Sequence, residues 1–379
     1  MKFEIKEKNM HSLVELQKVL QDLDLIGTID GWEQRLSVAI KDERVRSILD
    51  LETPTITDLS EVFDTPGRIL AIRMDLNREV KNHKKPVIAL LILKGIICGK
   101  IPSEKIATLI DGGNYNSARA MSFYAHRFDM KSIYVMSRLF PQNIIDILKQ
   151  SGLEVIQAPR KYENAREREF YEYLRDLVRD HEFCSSKQGL YCTWHARDGG
   201  KALYPLGCEI AKQLEVVPDI VISCLGAGTT LEGVQIAIQN YFSEIGGKVP
   251  EIMVAEHELS PLFAKRMPEL VSPPSQHLGK VLEDFYTTVP ELPHTVIGPH
   301  YDEINPLLSE KSIARITGIV QYSQDGWKYV HQELLRKGLS VGNSSAANIS
   351  AAIQLARDGK TVLTEIFEPF WQFYYDPNH

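Results

Sequence analysis

The chain has 379 residues, 44% apolar and 25% charged, which is long enough for two domains and too apolar for a disordered or fibrous class. Its net charge of -7 and pI near 5.9, with no long basic run, argue against a nucleic-acid partner. Five cysteines, Cys98, Cys184, Cys192, Cys208 and Cys224, are odd in number and lack metal-ligand spacing, so they read as reduced thiols and no metal is expected.

Met1 to Lys8 carries no apolar block, and the longest apolar run, Val87 to Cys98, is broken by Lys94 and Gly95. A cytoplasmic protein with no membrane span is therefore expected. Residues 11–26 place Leu13, Leu16, Val19, Leu20 and Leu23 at helical spacing, and 32–49 repeat the pattern with Trp32, Leu36, Ile40, Val45 and Leu49. The two form an expected helical hairpin broken at Asp30-Gly31. Strand-like runs follow at 68–75, 106–110, 132–136, 154–158, 219–223, 252–255 and 361–366. Between them lie helical patterns at 86–98, 115–127, 141–151, 163–180, 231–243, 325–337 and 345–357. This alternation predicts an α/β protein with a parallel sheet. Helix-ending signals, Ser151-Gly152 and Lys337-Gly338, sit where αβ loops should be.

Within this frame Gly226-Ala227-Gly228-Thr229-Thr230 stands out, because it joins the apolar run Asp219 to Ser223 to a helical segment starting near Leu231. Glycines let backbone N–H groups approach an anion, the threonines add hydroxyls, and a helix start adds partial positive charge. The loop reads either as a phosphate cradle or as plain strand-to-helix punctuation.

Other pieces occur in order: Thr53-Pro54, Arg73-Met74-Asp75, Lys84, Gly113-Asn114, the glycine loop, Gly342 to Ala347, and Gly359 to Val362. Their order and spacing resemble the fold-type II pyridoxal-phosphate enzymes, the family of cysteine synthase, cystathionine beta-synthase, threonine synthase and the tryptophan synthase beta subunit. The resemblance runs from about residue 53 to about 375. The family's Asn-Pro-Thr-Gly-Ser-x-Lys block ends on Lys84, its Ser-Gly-Asn-Thr-Gly loop falls on Gly112 to Asn116, and its Gly-x-Gly-Gly-Thr loop falls on 226–230. Its Gly-Ile-Ser-Ser-Gly-Ala falls on 342–347, and its last motif, much altered, on Pro369 to Tyr375.

The resemblance implies two doubly wound domains and a homodimer binding pyridoxal 5'-phosphate. The expected division is 1–52 as an N-terminal helical extension, 53–84 with 206–379 as the large phosphate-binding domain, and 85–205 as the small substrate-side domain. Lys84 falls on the Schiff-base position, with Lys85 next in line. The chemistry needs an amine unprotonated part of the time, held at the start of a buried helix. The other reading is a solvated cluster of Lys81, Lys84 and Lys85. Asn114 falls where the family bonds the cofactor's 3'-oxygen, and is equally an N-cap. Ser344 or Ser345 falls against the pyridine nitrogen, or both serve as N-cap serines. Gly226, Ala227, Gly228, Thr229 and Thr230 fall on the phosphate.

The carboxylate loop departs from the family, with Asp111, Gly112 and Gly113 where hydroxyls are usual, and Cys192 at the substrate Gln. The glycine N–H groups could bind an anion, which Asp111 would repel unless turned away. An unusual substrate meeting Asp111, Tyr115 or Asn116 is the expectation. His195 has no apparent acid partner and reads as an ordinary loop histidine. The implied activity is cysteine synthase-like β-replacement on an amino acid, through an aminoacrylate. The alternatives are a β-eliminating lyase or dehydratase of Ser/Thr type and a cofactor-less binding module.

Overall fold

Apolar runs pair into parallel sheets here because the central strands are buried on both faces and helices can cover them. The computed structural model describes residues 13–102, 106–138, 140–159, 169–187, 189–272 and 304–370. Among these, ten strands occur: β1 Ile56–Asp58, β2 Ile69–Arg73, β3 Thr108–Gly112, β4 Lys131–Met136, β5 Glu154–Gln157, β6 Leu190–Cys192, β7 Ile220–Cys224, β8 Glu251–His257, β9 Ile316–Tyr322 and β10 Val362–Ile366. The chain divides into two units. One comprises Met1–Glu52, Arg78–Val80 and Lys84–Pro205, and the other Thr53–Asn77, Lys81–His83 and Leu206–His379.

In the first unit the sheet runs β5-β4-β3-β6, all parallel, with Ile110 opposite Ile133 on one side and Cys192 on the other. The helix Lys84–Ile97 is buried along its whole length, so its run of Val, Ile and Leu shows no polar face. The expected N-terminal hairpin is three helices, Leu13–Asp22, Trp32–Ala39 and Glu43–Leu49. The extra break comes at Asp42, whose carboxylate accepts from the Arg44 N–H at 2.8 Å and caps the third helix. These helices fall within this unit. The Tyr124 hydroxyl donates to the Leu49 carbonyl at 2.7 Å and Arg127 Nε to that of Ile48 at 2.8 Å, satisfying carbonyls that the helix end leaves open.

In the second unit the order is β1-β2-β10-β7-β8-β9, with only β1 antiparallel. The helix Asn343–Ala356 packs Ala346, Ala347, Ile349, Ala351 and Ala352 into the same core as Ile69, Ala71, Ile220 and Ile366. Small side chains let this helix lie close to the sheet. The loop after β7 runs into one π-helical turn, Leu231–Gln235, before the helix Ile236–Glu244. Gln235 holds that turn by donating to the Val221 and Met253 carbonyls at 3.1 and 3.0 Å.

Among the elements that escape the periodicity reading are three strands and one long helix. β1 and β6 are three residues long, too short to show alternation. β9 contains Gly318, whose missing side chain leaves room for Met253, since a Cβ there would lie 2.8 Å from its Cε. The helix His195–Lys212 contains Gly199, Gly200 and Pro205, which lower helix propensity. The altered motif at Pro369 to Tyr375 lies outside the described residues beyond Phe370, as do 163–168 of the helical pattern 163–180.

Tyr124→Phe should lower stability by about 1–3 kcal/mol, because it strands the buried Leu49 carbonyl while keeping the ring. An unchanged urea midpoint would show that water replaces the hydroxyl.

Candidate functional site

The candidate lysines differ in burial and in unit, Lys84 and Lys85 lying in the first and Lys81 in the second. Both Lys84 and Lys85 are buried in the first turn of the helix Lys84–Ile97. Lys85 Nζ donates to the Asp50 carboxylate and lies 5.6 Å from the centre of the Phe123 ring. Burial lowers its pKa, and the nearby Asp50 charge opposes the shift. Lys85 is thus committed to the N-terminal helices. Lys81 has φ +53 and is solvent-exposed.

β3 ends in the loop Asp111 to Asn114. Asp111 is fully buried, turned away from solvent. Its carboxylate accepts from the Thr193 hydroxyl, from the His195 N–H at 3.0 Å and from the Gly112 N–H at 2.8 Å. Burial alone would raise its pKa. The adjacent His195 ring and these hydrogen bonds hold it below the usual carboxylate range. Asp111 therefore organises the loop from beneath and offers no free oxygen to a ligand. The glycine N–H groups are spent as well, that of Gly112 on Asp111 and that of Gly113 on the Val135 carbonyl at 3.1 Å.

Gly113 has φ +151, and a Cβ there would lie 2.8 Å from the Tyr134 hydroxyl and 2.9 Å from His195 Cε1. A side chain has no room at this position, where the family's loop also has glycine. Asn114 takes the N-cap place of the helix Tyr115–Arg127 without making a side-chain cap bond. Its Oδ1 accepts from Ser117 Oγ at 3.3 Å, and the half-buried side chain leaves its NH2 for another acceptor. The first N–H groups of that helix lack intrahelical acceptors. Tyr115 is buried, which pushes its hydroxyl up to about 12, and Asn116 is half-buried.

Sequence reasoning missed the pairing of Asp111 with His195. The imidazole is buried, with Nδ1 3.2 Å from Asp111 Oδ2 and Nε2 3.4 Å from the Tyr171 hydroxyl, so His195 is no ordinary loop residue. The two stand 84 positions apart and meet because β6 lies beside β3. No spacing rule carries that signal. Cys192 forms part of a cavity wall with Tyr191 and Trp194, and burial raises its thiol well above the ordinary value.

In the second unit Gly226 and Ala227 are half-buried, while Gly228, Thr229 and Thr230 are buried at a helix start. Gly228 has φ +86, and a Cβ there would lie 2.7 Å from Leu308 Cδ1. Thr229 Oγ1 is buried without a hydrogen-bond partner among the described residues, so the cradle is short of one acceptor. Asn305 braces the loop by donating to the Ala227 carbonyl at 2.8 Å.

Ser345 is spent on the segment after β10, accepting from the Phe367 N–H at 2.9 Å and donating to the Glu368 carbonyl at 3.4 Å. Ser344 is half-buried and makes no hydrogen bond to the described residues. His83, immediately before Lys84 in the chain, donates its N–H to the Phe367 carbonyl at 2.8 Å, and its ring lies 4.6 Å from that of Phe367. An unpaired threonine hydroxyl and a left-handed glycine at a helix start fit the phosphate of pyridoxal phosphate.

The profile of the family described as "Pyridoxal-phosphate dependent enzyme" matches residues 52–364. A search of curated proteins gives no match. Among solved structures, the O-acetylserine dependent cystathionine beta-synthase from Helicobacter pylori is 21% identical, with TM-score 0.63, over 88% of this chain and 94% of that one. A hydrogen sulfide-producing enzyme from Fusobacterium nucleatum is 16% identical, with TM-score 0.66, over 86% and 96%. An O-ureido-L-serine synthase is 13% identical, with TM-score 0.65, over 86% and 92%. At these identities the likeness is one of fold. The profile match covers most of the chain, and the protein therefore belongs to the pyridoxal-phosphate-dependent enzymes of fold-type II.

Proposed function

We propose that this enzyme carries out β-replacement on an amino acid, and the observation that carries the reading is Ser344. Its hydroxyl makes no hydrogen bond to the described residues at the start of the helix Asn343–Ala356, while Ser345 is tied to the backbone. A neutral hydroxyl against the pyridine nitrogen, unlike a carboxylate, leaves the ring a weaker electron sink and favours loss of a β-substituent. Two of the similar structures bear names that include an O-substituted serine, which is in keeping with this chemistry.

When bound, pyridoxal phosphate supplies the electron withdrawal that loosens the Cα proton and the β-substituent of the substrate. The chain supplies position and proton handling. Lys84 would hold the cofactor covalently and move the Cα proton at its Nζ. Gly226 to Thr230 would hold the phosphate, Thr229 with its spare hydroxyl. The Asn114 NH2 would bond the 3'-oxygen. With Asp111 and both glycine N–H groups engaged, the substrate carboxylate falls to the first N–H groups of the helix Tyr115–Arg127. A homodimeric, cytoplasmic enzyme completes the reading; all five cysteines are free thiols, in keeping with a reducing compartment.

Reduction of the loaded protein with borohydride should leave the pyridoxyl group on the peptide containing Lys84, and Lys84→Ala should abolish it. Label on Lys85 instead would refute the assignment.

Gly228→Asp adds a charge and an L side chain at φ +86. It should weaken pyridoxal phosphate binding about tenfold or more while circular dichroism stays unchanged. Undiminished affinity would place the phosphate elsewhere.

Supplied with O-acetyl-L-serine and sulfide, the enzyme should form the β-substituted amino acid. A keto acid and ammonia as sole products, with the acceptor present, would make it an eliminating lyase.

A further inference from the structure

The first unit contains a cavity of about 560 Å3, the size of small-molecule sites, whose wall includes none of the residues proposed above to hold the cofactor and shares only Cys192 with the positions the family resemblance assigns to substrate. Lys94, Lys100, Lys187 and Arg197 are the charged residues of its wall, with no carboxylate among them, and Tyr191 and Trp194 give it aromatic surface.

Two observations point to a ligand there, and the first is that the charge is incompletely met. Lys94 Nζ, on a buried side chain, donates to Asp198 Oδ2 at 2.6 Å and lies 4.6 Å from the Trp32 ring centre. The same carboxylate is claimed in bidentate fashion by Arg197, at 2.9 and 2.6 Å. One carboxylate thus serves two cations, and a buried ammonium with three donors spends one on it. Lys187 meets Glu154 at 3.2 Å, and Lys100 is exposed.

Trp194 supplies the second observation. It has φ +52, a conformation that bulky residues adopt only where their surroundings impose it and that clusters at ligand clamps. Thr193 and His195 on either side are pinned to Asp111, which turns the Trp194 ring into the wall with the Arg197 guanidinium 5.2 Å from the ring centre. Tyr191 is fixed opposite by donating to the Leu91 carbonyl at 3.0 Å. The rigid aromatic surface is therefore built before any ligand arrives.

We propose that this cavity is a second binding site, for a small organic anion carrying its carboxylate, sulfonate or phosphate on a planar apolar body. The acid group completes the charge of Lys94 and Arg197, and the body lies against Tyr191 and Trp194. The site does not depend on the reaction proposed for the enzyme.

Naphthalene-2-sulfonate is the probe, titrated into the full-length protein saturated with pyridoxal phosphate and followed by calorimetry. Binding should be saturable at one site per chain with Kd of about 1 mM or tighter. Naphthalene without the sulfonate should bind about tenfold more weakly or worse. Arg197→Gln leaves the Lys94–Asp198 pair in place and should weaken the sulfonate about tenfold, while Gly228→Asp should not affect it. The probe should also slow alkylation of Cys184, a half-buried thiol in the wall, by iodoacetamide. Absence of saturable binding overturns the proposal. So does equal binding of the uncharged naphthalene, or loss in Gly228→Asp with Arg197→Gln unaffected.

Discussion

The Asp111 carboxylate is the constraint on which the first unit's loops depend. It lies at the end of β3, has no exposure, and binds a hydroxyl, two N–H groups and the side of an imidazole. A buried charge is tolerated only when its hydrogen-bonding capacity is filled, and removing a partner from such a group costs about 3–5 kcal/mol. Filling it requires residues from the end of β6 to fold over the end of β3. That requirement sets Thr193 and His195, forces Trp194 to φ +52, and crowds Gly113 until no side chain fits.

In the second unit the equivalent order comes from a helix with small side chains. Asn348 accepts from the Cys224 N–H at 2.7 Å and donates to the Glu365 carbonyl at 3.0 Å, so one buried amide joins the ends of β7 and β10. Ser345 does the same for the segment after β10. These contacts exist because alanines bring the helix close to the sheet, and they explain why Ser345 of the pair is structural.

The departures from the family pattern acquire a common cause. An acidic residue in the carboxylate loop suggests, by its charge, an altered substrate. Its burial transfers that meaning to the scaffold. The loop hydroxyls are lost and the N–H groups of Gly112 and Gly113 are engaged within the scaffold.

Periodicity and punctuation determined the α/β class, most of the long helices and the longer strands, because apolar spacing follows directly from which face is buried. The ordered motifs also determined the family, since glycines at a cradle and a lysine before an apolar helix are needed locally, whatever the rest of the chain does. Only the tertiary structure decided that Lys85 is committed to a carboxylate and that Ser345 is spent. Those answers depend on Asp50 and on Phe367, partners 35 and 22 positions away. It alone turned Asp111 inward and joined it to His195. Neighbouring strands in a parallel sheet are separated by crossovers whose length leaves no trace in local spacing, so the identity of a buried charge's partner is a property of topology.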